Sequence, residues 1–501
     1  MNEHTNQHTG VEQDALSGRL PVLASERVYG TYGSFLWTCC AFSAATWAFL
    51  VGGFLPYVGD WRLGIAGYSV GYTLGMAVIA LASGAASFKY GTDVIDTAKT
   101  SFGPRGIVVP LLGLLATLLG WSYVVEALTS RGAANIAAAM TGASFTSDDH
   151  EKLVVAVAFA CIVLVWLIAA KGPKFFERLN SYIGPLHMLI TLMMFGILVR
   201  RYGLHTLWVS QVPSDQMITH DPLKGMAFAV EFGASAAMTW WPVMGGLTRL
   251  VKRRAHILGP SVLGVGFLGG PVVSTVAALA AISAGTHDPT VWMIKVAGNV
   301  VGSCTMAVVL TANIATMVVM IYLAGISIQQ VKFFARIRWE LLLAILLAPG
   351  ALFALRTEWL IESVMSWLSY NGVMFVGVTG ITFVDYFVLR RERLDPAHLF
   401  AANGGKYAYW RGVNWVAIAI TALSTWGYLW LYNPVRGTTA EPFRYLGASV
   451  PCVILSAIAY YVAVKLIVIP LGKGAYRDRQ RAYSEATLSA KPTGNAVTVS
   501  L

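Results

Sequence analysis

Long apolar segments recur along this chain, and they limit what it can fold into more than any other feature. Each is at least about 17 residues long, enough for an α-helix to cross the hydrocarbon core of a bilayer. Only 12% of the 501 residues are charged, whereas a soluble domain carries about 25%. Because hydrocarbon offers backbone polar groups no partner, these segments must be helices. We predict an all-α membrane protein with twelve transmembrane helices, near 34–56, 62–88, 105–142, 152–171, 176–200, 224–247, 257–284, 296–326, 340–356, 360–389, 412–432 and 446–471.

The basic residues predict which way these helices face. Most of the 36 Lys and Arg fall in loops on the same side as the N-terminus, and such loops are typically cytoplasmic. Both termini are therefore predicted to be cytoplasmic, in the plasma (inner) membrane. The net charge of +11 then reflects orientation beside anionic lipid and not nucleic-acid binding. The predicted organisation is a polar tail at 1–33, a transmembrane domain at 34–471 and a polar tail at 472–501.

Two apolar segments carry small and polar residues in their middle. The first contains WTCCAFSAATW at 37–47, and the sixth contains FAVEFGASAAMTWWPVMGGLTR at 228–249. Interrupted helices at matching positions of two halves indicate an inverted-repeat transporter, since unwound backbone is tolerated in a membrane only around a cavity. The repeats are predicted at about 34–200 and 224–389, followed by two additional helices at about 412–471.

The sixth segment contains the features expected of a broken helix. The small residues at 233–237 would let a ligand approach the backbone, and Pro242 removes a hydrogen-bond donor and favours a kink. The alternative is a kinked packing helix that holds no site.

Four stretches together resemble the nucleobase–cation symporter family 1, which includes permeases for hydantoin, cytosine, purines, allantoin and hydroxymethylpyrimidine. They are TDVIDTAKTSFGPRG before the third segment, TWWPVMGGLTRL at 239–250, VDYFVLRRERL at 384–394 and GGKYAYWRGVNWVA at 404–417. The resemblance covers about residues 25–435. It implies a leucine-transporter-type fold, with helices 1–10 as a five-plus-five inverted repeat, and uptake of a flat heterocycle coupled to Na⁺ or H⁺.

The resemblance also implies a substrate site. Trp121 on the third helix would stack one face of the ring, and Trp240 in the sixth would stack the other, with Ala237 as the alternative position. Aromatic stacking on a flat base contributes about 1–3 kcal/mol. The polar contacts of the family fall at Ser43, at Val125 with Glu126 beside it, and at Met320 or Ile321.

The family's cation position falls at Cys39, Phe42, Ala312, Ala315 and Thr316. The first two would contribute backbone carbonyls from the first helix, and the others lie on the eighth. Here only Thr316 retains a side-chain oxygen, because the family's Ser/Thr position is Ala315. The family's asparagine position is apolar as well. A hard cation requires oxygen ligands, so the sequence predicts a weak Na⁺ site.

Two acidic residues lie inside predicted helices. A charge in mid-membrane costs at least about 2.5–3.5 kcal/mol, so Glu126 and Glu231 are candidates to carry a coupling proton in place of Na⁺. A carboxylate could also bind a cationic or amidine-like substrate edge. The alternative is a structural ion pair, for example between Glu126 and Arg131. Among the histidines only His187 lies clearly inside a helix, and it is expected to be a packing residue.

These features favour a secondary transporter over other membrane proteins. No cluster of nucleophile, base or metal ligands indicates an enzyme, and no cofactor is expected besides the coupling ion. The expected partners are a small-molecule substrate and the lipid bilayer, with no nucleic acid and no required protein partner. The alternatives are an uncoupled facilitator or a symporter of the same fold for a different small organic solute, and a non-transporting membrane sensor.

Overall fold

The computed structural model describes residues 21–401 and 405–476, and nearly all of this part is helical. We number the helices α1 (Tyr32–Ser43), α2 (Thr46–Phe54), α3 (Trp61–Tyr90), α4 (Val94–Phe102), α5 (Val108–Thr141), α6 (Ser147–Ala169), α7 (Pro173–Tyr202), α8 (Leu204–Val209), α9 (Pro222–Met238), α10 (Trp241–Thr248), α11 (Ala255–Ala284), α12 (Pro289–Ala297), α13 (Asn299–Ile328), α14 (Trp339–Ala354), α15 (Thr357–Phe383), α16 (Pro396–Leu399), α17 (Trp415–Leu431), α18 (Phe443–Leu446) and α19 (Ser449–Val468).

Shorter elements complete this part of the chain. Single 3₁₀ turns lie at Ala24–Glu26, Leu55–Val58, Gly142–Ser144, Ser214–Gln216, Phe334–Arg336 and Gly405–Tyr407. Wider π-type turns lie at Ala80–Gly84, Ser261–Val272 and Val464–Val468 within α3, α11 and α19, and at Val384–Leu389 after α15. One antiparallel strand pair is present among the described residues, β1 (Tyr432–Asn433) with β2 (Thr438–Thr439).

The helices agree with the predicted all-α membrane class. Among the described residues, eight helical stretches are long and apolar enough to cross a membrane, and the bent pair α1–α2 makes nine. The remaining predicted segments correspond to α14 and α17, which are apolar but only 16 and 17 residues long, and to the pair α9–α10. Each predicted segment is therefore helical, although three fall below the length that would identify a span by itself.

The first predicted interruption is confirmed. α1 ends at Ser43, α2 begins at Thr46, and the two helices are bent by 58° at Ala44–Ala45. Ala45 precedes α2 but has no side chain that could cap it. The first free backbone N–H of α2, on Thr46, donates instead to the Asn313 Oδ1 of α13 at 3.0 Å. The break in one helix is thus held by a side chain of another.

The second predicted interruption is also present, close to Trp240. Residues 233–237 remain helical within α9, and the chain departs from the helix only at Thr239–Trp240. Pro242 lies in the first turn of α10, where a missing N–H removes no helical hydrogen bond, so it begins a helix and does not kink one. The predicted break is therefore confirmed, but the small residues at 233–237 are not part of it.

Those small residues let α9 pack closely against α3. A Cβ on Gly71 of α3 would lie 2.2 Å from the Val230 carbonyl oxygen, and one on Gly233 would lie 2.3 Å from that of Tyr68. Gly67 and Gly75 extend the same face of α3, and a Cβ on either would contact alanines of α9. Small residues repeated every four positions typically mark such helix contacts in membranes.

Part of each predicted tail packs against the helical bundle. Tyr29 pairs with Val251 through the backbone and is fully buried. At the other end, the Tyr476 hydroxyl donates to Asp385 at 2.5 Å, and Asp385 pairs with Arg390 at 2.8 Å. Residues 1–20 and 477–501, which make up most of both predicted tails, lie outside the described residues.

Candidate functional site

A small cavity lies where the two helix breaks face each other. The space between its wall atoms, together with the part open to solvent, amounts to about 400 Å³. Residues from α1, α2, α5, α9, α10 and α13, together with the second break, line it: Phe42, Trp47, Val51, Thr117, Leu118, Trp121, Ala236, Thr239, Trp240, Val243 and Met320. The walls are almost entirely apolar, with two threonines as the polar lining side chains in the part of the chain that the structure describes.

Four of the eleven residues that line the cavity are aromatic. Trp47 lies between two predicted ring-stacking residues, with centroid distances of 5.5 Å to Trp121 and 6.1 Å to Trp240. Phe42 meets Trp240 edge-on at 5.1 Å, and Trp367 of α15 meets Trp121 at 5.2 Å. Such faces attract flat π-systems by stacking. The sequence analysis did not select Trp47, although it ends the interrupted WTCCAFSAATW stretch and so could have been found there.

The structure separates the predicted substrate residues into two groups. Trp121, Trp240 and Met320 line the cavity. Ala237 does not, because its side chain faces Gly75 of α3; of the two alternatives for the sixth helix, Trp240 is therefore the one at the cavity.

Ser43, Val125 and Glu126 lie behind the cavity wall. The Ser43 side chain packs against Gly269 of α11. The Val125 side chain is buried, and its carbonyl accepts the Thr129 hydroxyl at 2.7 Å. Glu126 approaches Gly350 of α14, on another side of α5.

One buried amide beside the cavity was missed by the sequence analysis. The Thr117 hydroxyl, on the cavity wall, hydrogen-bonds the Asn371 Oδ1 of α15. Asn371 is 2% exposed, and its Nδ2 has no hydrogen-bond partner among the described residues. A buried amide group without a partner is costly unless something else satisfies it. An asparagine in an otherwise apolar segment is the sequence signal that could have indicated it.

A second missed residue joins three helices. Asn313 of α13 accepts the Thr46 N–H and the Thr46 hydroxyl, both at 3.0 Å. Its amide nitrogen donates to Thr129 of α5 at 2.9 Å. Asn313 is fully buried, so it fixes the start of α2 relative to both neighbours. The family's asparagine was expected about two turns later, at Met320 or Ile321, so Asn313 was not predicted.

The residues at the predicted cation position fit Na⁺ poorly. Ala312 and Ala315 belong to an apolar cluster with Ala41 and Ile183. The Phe42 carbonyl already accepts the Trp47 indole N–H at 3.3 Å. Cys39 of α1 turns its side chain toward Gly264 of α11. The Thr316 hydroxyl is the one side-chain oxygen of this set, and it has no partner in the described part of the chain.

Glu231 is bound as a helix cap. Its Oε2 accepts the backbone N–H groups of Ala448 and Ser449, both at 2.7 Å, and its Oε1 accepts the Ser449 hydroxyl at 2.6 Å. These groups form the start of α19, where unpaired N–H groups and the helix dipole favour a carboxylate. Glu231 therefore lies away from the cavity, and its role as a helix cap accounts for a buried acid in this helix without a substrate.

Glu126 has no ion-pair partner in the described residues. The predicted alternative pairing with Arg131 is wrong, because Arg131 binds Asp288 at 3.1 Å. Glu126 is 3% exposed, and its Oε1 lacks a hydrogen-bond partner among the residues that the structure describes. It faces α14 and not either helix break.

No group of three or more His, Cys, Asp or Glu in the described ranges could hold a metal ion. Asp385 forms a buried ion pair with Arg390. Outside the spanning helices, Asp96 of α4 binds Lys99 at 2.6 Å, and burial raises the pKa of Asp96 to about 6 despite that ammonium.

Solved structures resemble this protein in fold, and curated proteins resemble parts of its sequence. The transporter Mhp1 of the nucleobase-cation-symport-1 family, in a closed conformation with bromovinylhydantoin bound, superimposes with a TM-score of 0.70. It is 18% identical, and the match covers 89% of this chain and 95% of that one, so it establishes the same fold, a leucine-transporter-type bundle.

Two curated permeases match over short stretches. A hydantoin permease of Microbacterium maritypicum is 47% identical over 47 residues, or 9% of each chain. An allantoin permease of Bacillus subtilis (strain 168) is 30% identical over 105 residues, or 21% of this chain and 20% of that protein. The matched stretches thus span a fifth or less of these relatives' length.

A sequence profile of permeases for cytosine/purines, uracil, thiamine and allantoin matches residues 21–444, which is most of the chain. The profile and the matched relatives describe transporters and not enzymes. This integral membrane protein belongs to the cytosine/purine, uracil, thiamine and allantoin permease family.

Proposed function

We propose that the protein imports a nucleobase or related flat heterocycle by cation symport, through alternating access. One observation carries this proposal: a cavity walled by four aromatic rings lies where two broken helices face each other. Broken helices at the membrane midplane typically form the substrate site of inverted-repeat transporters. We place the protein in the plasma (inner) membrane, with both termini cytoplasmic as the basic loops indicate.

The chemistry of the walls supports a flat, largely uncharged substrate. Trp121 and Trp240 offer faces for stacking, and Met320 adds an adaptable apolar surface. No acidic or basic side chain lines the cavity in the described part of the chain. The permeases with matching stretches are named for hydantoin and allantoin, which are small ring compounds of this kind.

Asn371 is our proposed polar contact to the ring edge. Its amide oxygen accepts the Thr117 hydroxyl at the cavity wall, and its amide nitrogen has no partner among the described residues. A ring carbonyl or N–H reaching this amide would satisfy it. A compound lacking that group would leave it unpaired and bind more weakly, because unsatisfied buried polar groups are expensive.

For the coupling ion we favour a proton over Na⁺. The expected Na⁺ ligands contribute one unpartnered side-chain oxygen, on Thr316, within the described residues, and two of the five positions are alanines in an apolar cluster. The same weakness supports the alternative of an uncoupled facilitator. Uptake into vesicles with and without a proton ionophore separates the two, since a facilitator equilibrates its substrate in both cases.

Ligand binding by the purified protein tests the proposed function. A thermal-shift panel would include cytosine, purines, uracil, hydantoin, allantoin and thiamine-precursor pyrimidines, each with Na⁺, with K⁺ and across pH 5.5 to 8. We expect at least one heterocycle to stabilise the protein, with a dependence on pH but not on Na⁺. Stabilisation by Na⁺ would contradict the proton assignment, and no stabilisation by any compound would contradict the substrate class.

Matched tryptophan variants locate the binding site. Trp121→Ala and Trp240→Ala should each weaken binding about 5- to 150-fold, equivalent to about 1–3 kcal/mol of lost stacking, and Phe at either position should restore part of it. The control is Trp430→Ala, because Trp430 of α17 is 57% exposed and far from the cavity lining. Equal effects of all three alanine variants would place the site elsewhere.

A further inference from the structure

A buried histidine lies beside the first helix break. α7 packs closely against α1, since a Cβ on Gly184 would lie 2.3 Å from the Trp37 carbonyl oxygen. One residue before that glycine, Ile183 contacts the apolar cluster of α1 and α13. His187 follows one turn later, is 1% exposed, and faces Ala44 in the break and Val308 of α13.

Both ring nitrogens of this imidazole face hydrogen-bond acceptors. Its ring nitrogens face the backbone carbonyls of Ala44 and Val308. Neither nitrogen makes a hydrogen bond of normal geometry with any residue that the structure describes. A neutral imidazole has one donor and one acceptor nitrogen, so it can satisfy only one of two carbonyls. A protonated imidazole has two donors and can bind both.

We propose that His187 binds the coupling proton, in place of a cation between α1 and α13. This inference rests on the proposed symport function. Protonation would create donors toward the carbonyl in the first break and the carbonyl on α13, drawing these elements together. Loss of the proton would leave a lone pair facing a carbonyl and favour their separation. Proton binding is thereby linked to the geometry of the break that forms the cavity wall.

The other titratable side chains that the structure describes on the packed helices face elsewhere. On α1, Cys39 and Cys40 lie against Gly264. On α13, Tyr322 binds Arg249 at 2.9 Å, while Cys304 is exposed. Lys295 of α12 donates to the Ala284 carbonyl at 2.6 Å.

On α7 itself, Arg201 donates to the Lys295 and Val296 carbonyls, Arg178, Tyr182 and Arg200 are exposed or partly exposed, and Tyr202 lies against Arg201. His187 thus faces two carbonyls, and the electrostatic interactions that the structure gives for it include no charged side chain.

Glu126 is the competing proton site, but its place in the fold is less suited to coupling. It lies against α14 and near Cys161 of α6, which are not parts of either break. Replacing His187 and replacing Glu126 should affect substrate accumulation differently, so one experiment separates the two proton sites.

The test uses the full-length protein in liposomes, with radiolabelled hydantoin and allantoin as probes. With one proton per substrate, an inward gradient of one pH unit supports about tenfold accumulation, because one pH unit and a tenfold concentration ratio are equal in free energy. We expect wild type to approach this ratio. We expect His187→Gln to equilibrate the probe without accumulating it, and His205→Gln, at an exposed histidine, to behave as wild type.

The outcomes distinguish failure of the proposed function from failure of the inference about His187. If wild type neither binds nor moves hydantoin, allantoin or any other compound of the thermal-shift panel, the proposed function fails. If wild type accumulates the probe and His187→Gln retains the full accumulation while Glu126→Gln loses it, the proton site is Glu126 and this inference is overturned.

Proton uptake by wild type on probe binding, followed with a pH-indicator dye in weak buffer, covers the case in which His187→Gln does not fold. We expect that uptake to vary across pH 5 to 8. Its absence would overturn the inference without any variant.

Discussion

Replacing Glu231 separates a structural role from a transport role. Its carboxylate accepts two backbone N–H groups and the Ser449 hydroxyl at the start of α19. In Glu231→Ala these three buried donors lose their acceptor. Each unsatisfied group costs about 1–3 kcal/mol, so the variant should lose about 3 kcal/mol of stability or more.

Glu231→Gln should be milder for a structural reason. Its amide oxygen can still accept both backbone N–H groups, and its NH₂ can donate to the Ser449 hydroxyl. The variant loses only the negative charge at a helix N-terminus, which contributes about 1–2 kcal/mol. Thermal stability of the purified protein should therefore decrease from wild type to Gln to Ala. Glu441→Ala, at an exposed position shortly before the same helix, should remain close to wild type.

Transport by the same variants tests the interpretation. Because Glu231 lies away from the cavity, Glu231→Gln should retain uptake and the wild-type dependence on pH between 5.5 and 8. A Gln variant with wild-type stability and a flattened pH profile would refute this reasoning. It would show that Glu231 carries the coupling proton, as its position within an apolar segment first suggests.

Three further outcomes follow from the packing. Asn313→Leu should destabilise the protein by about 2 kcal/mol or more, read as thermal stability, because the Thr46 N–H and hydroxyl lose their acceptor; unchanged stability would mean that α2 does not depend on this cap. Gly71→Ala should sharply reduce the yield of folded protein by size-exclusion chromatography, because its Cβ would lie 2.2 Å from a carbonyl oxygen of α9. Gly196→Ala is the control, because a Cβ added there would meet no neighbouring described atom within 4 Å. Equal yields of the two variants would contradict the close packing of α3 against α9. Asn371→Leu should weaken heterocycle binding about tenfold in a ligand titration while leaving Trp-mediated stacking intact; an unchanged affinity would remove Asn371 from the site.

Local sequence properties were enough to predict the class and much of the layout. Apolar length depends only on neighbouring residues, so every predicted segment is found as a helix in the structure. The small and polar residues at 37–47 correctly located the first break. Family motifs led to Trp121 and Trp240, which both line the cavity. The sequence could not show that Trp47 lies between them, because that contact joins α2 to residues about 70 and 190 positions away.

The roles of the buried polar residues depended on the tertiary structure. Glu231 and Glu126 look alike in sequence, as single acids within apolar helices, yet one caps a helix more than 200 residues later and the other has no ion-pair partner in the described chain. His187 looked like a packing residue until the fold placed two carbonyls beside it. Apolar patterning determined which segments are helices, because the cost of unsatisfied backbone in lipid is the same wherever the segment lies. The function of a buried polar group is decided by its partner, and in this protein those partners come from distant parts of the chain.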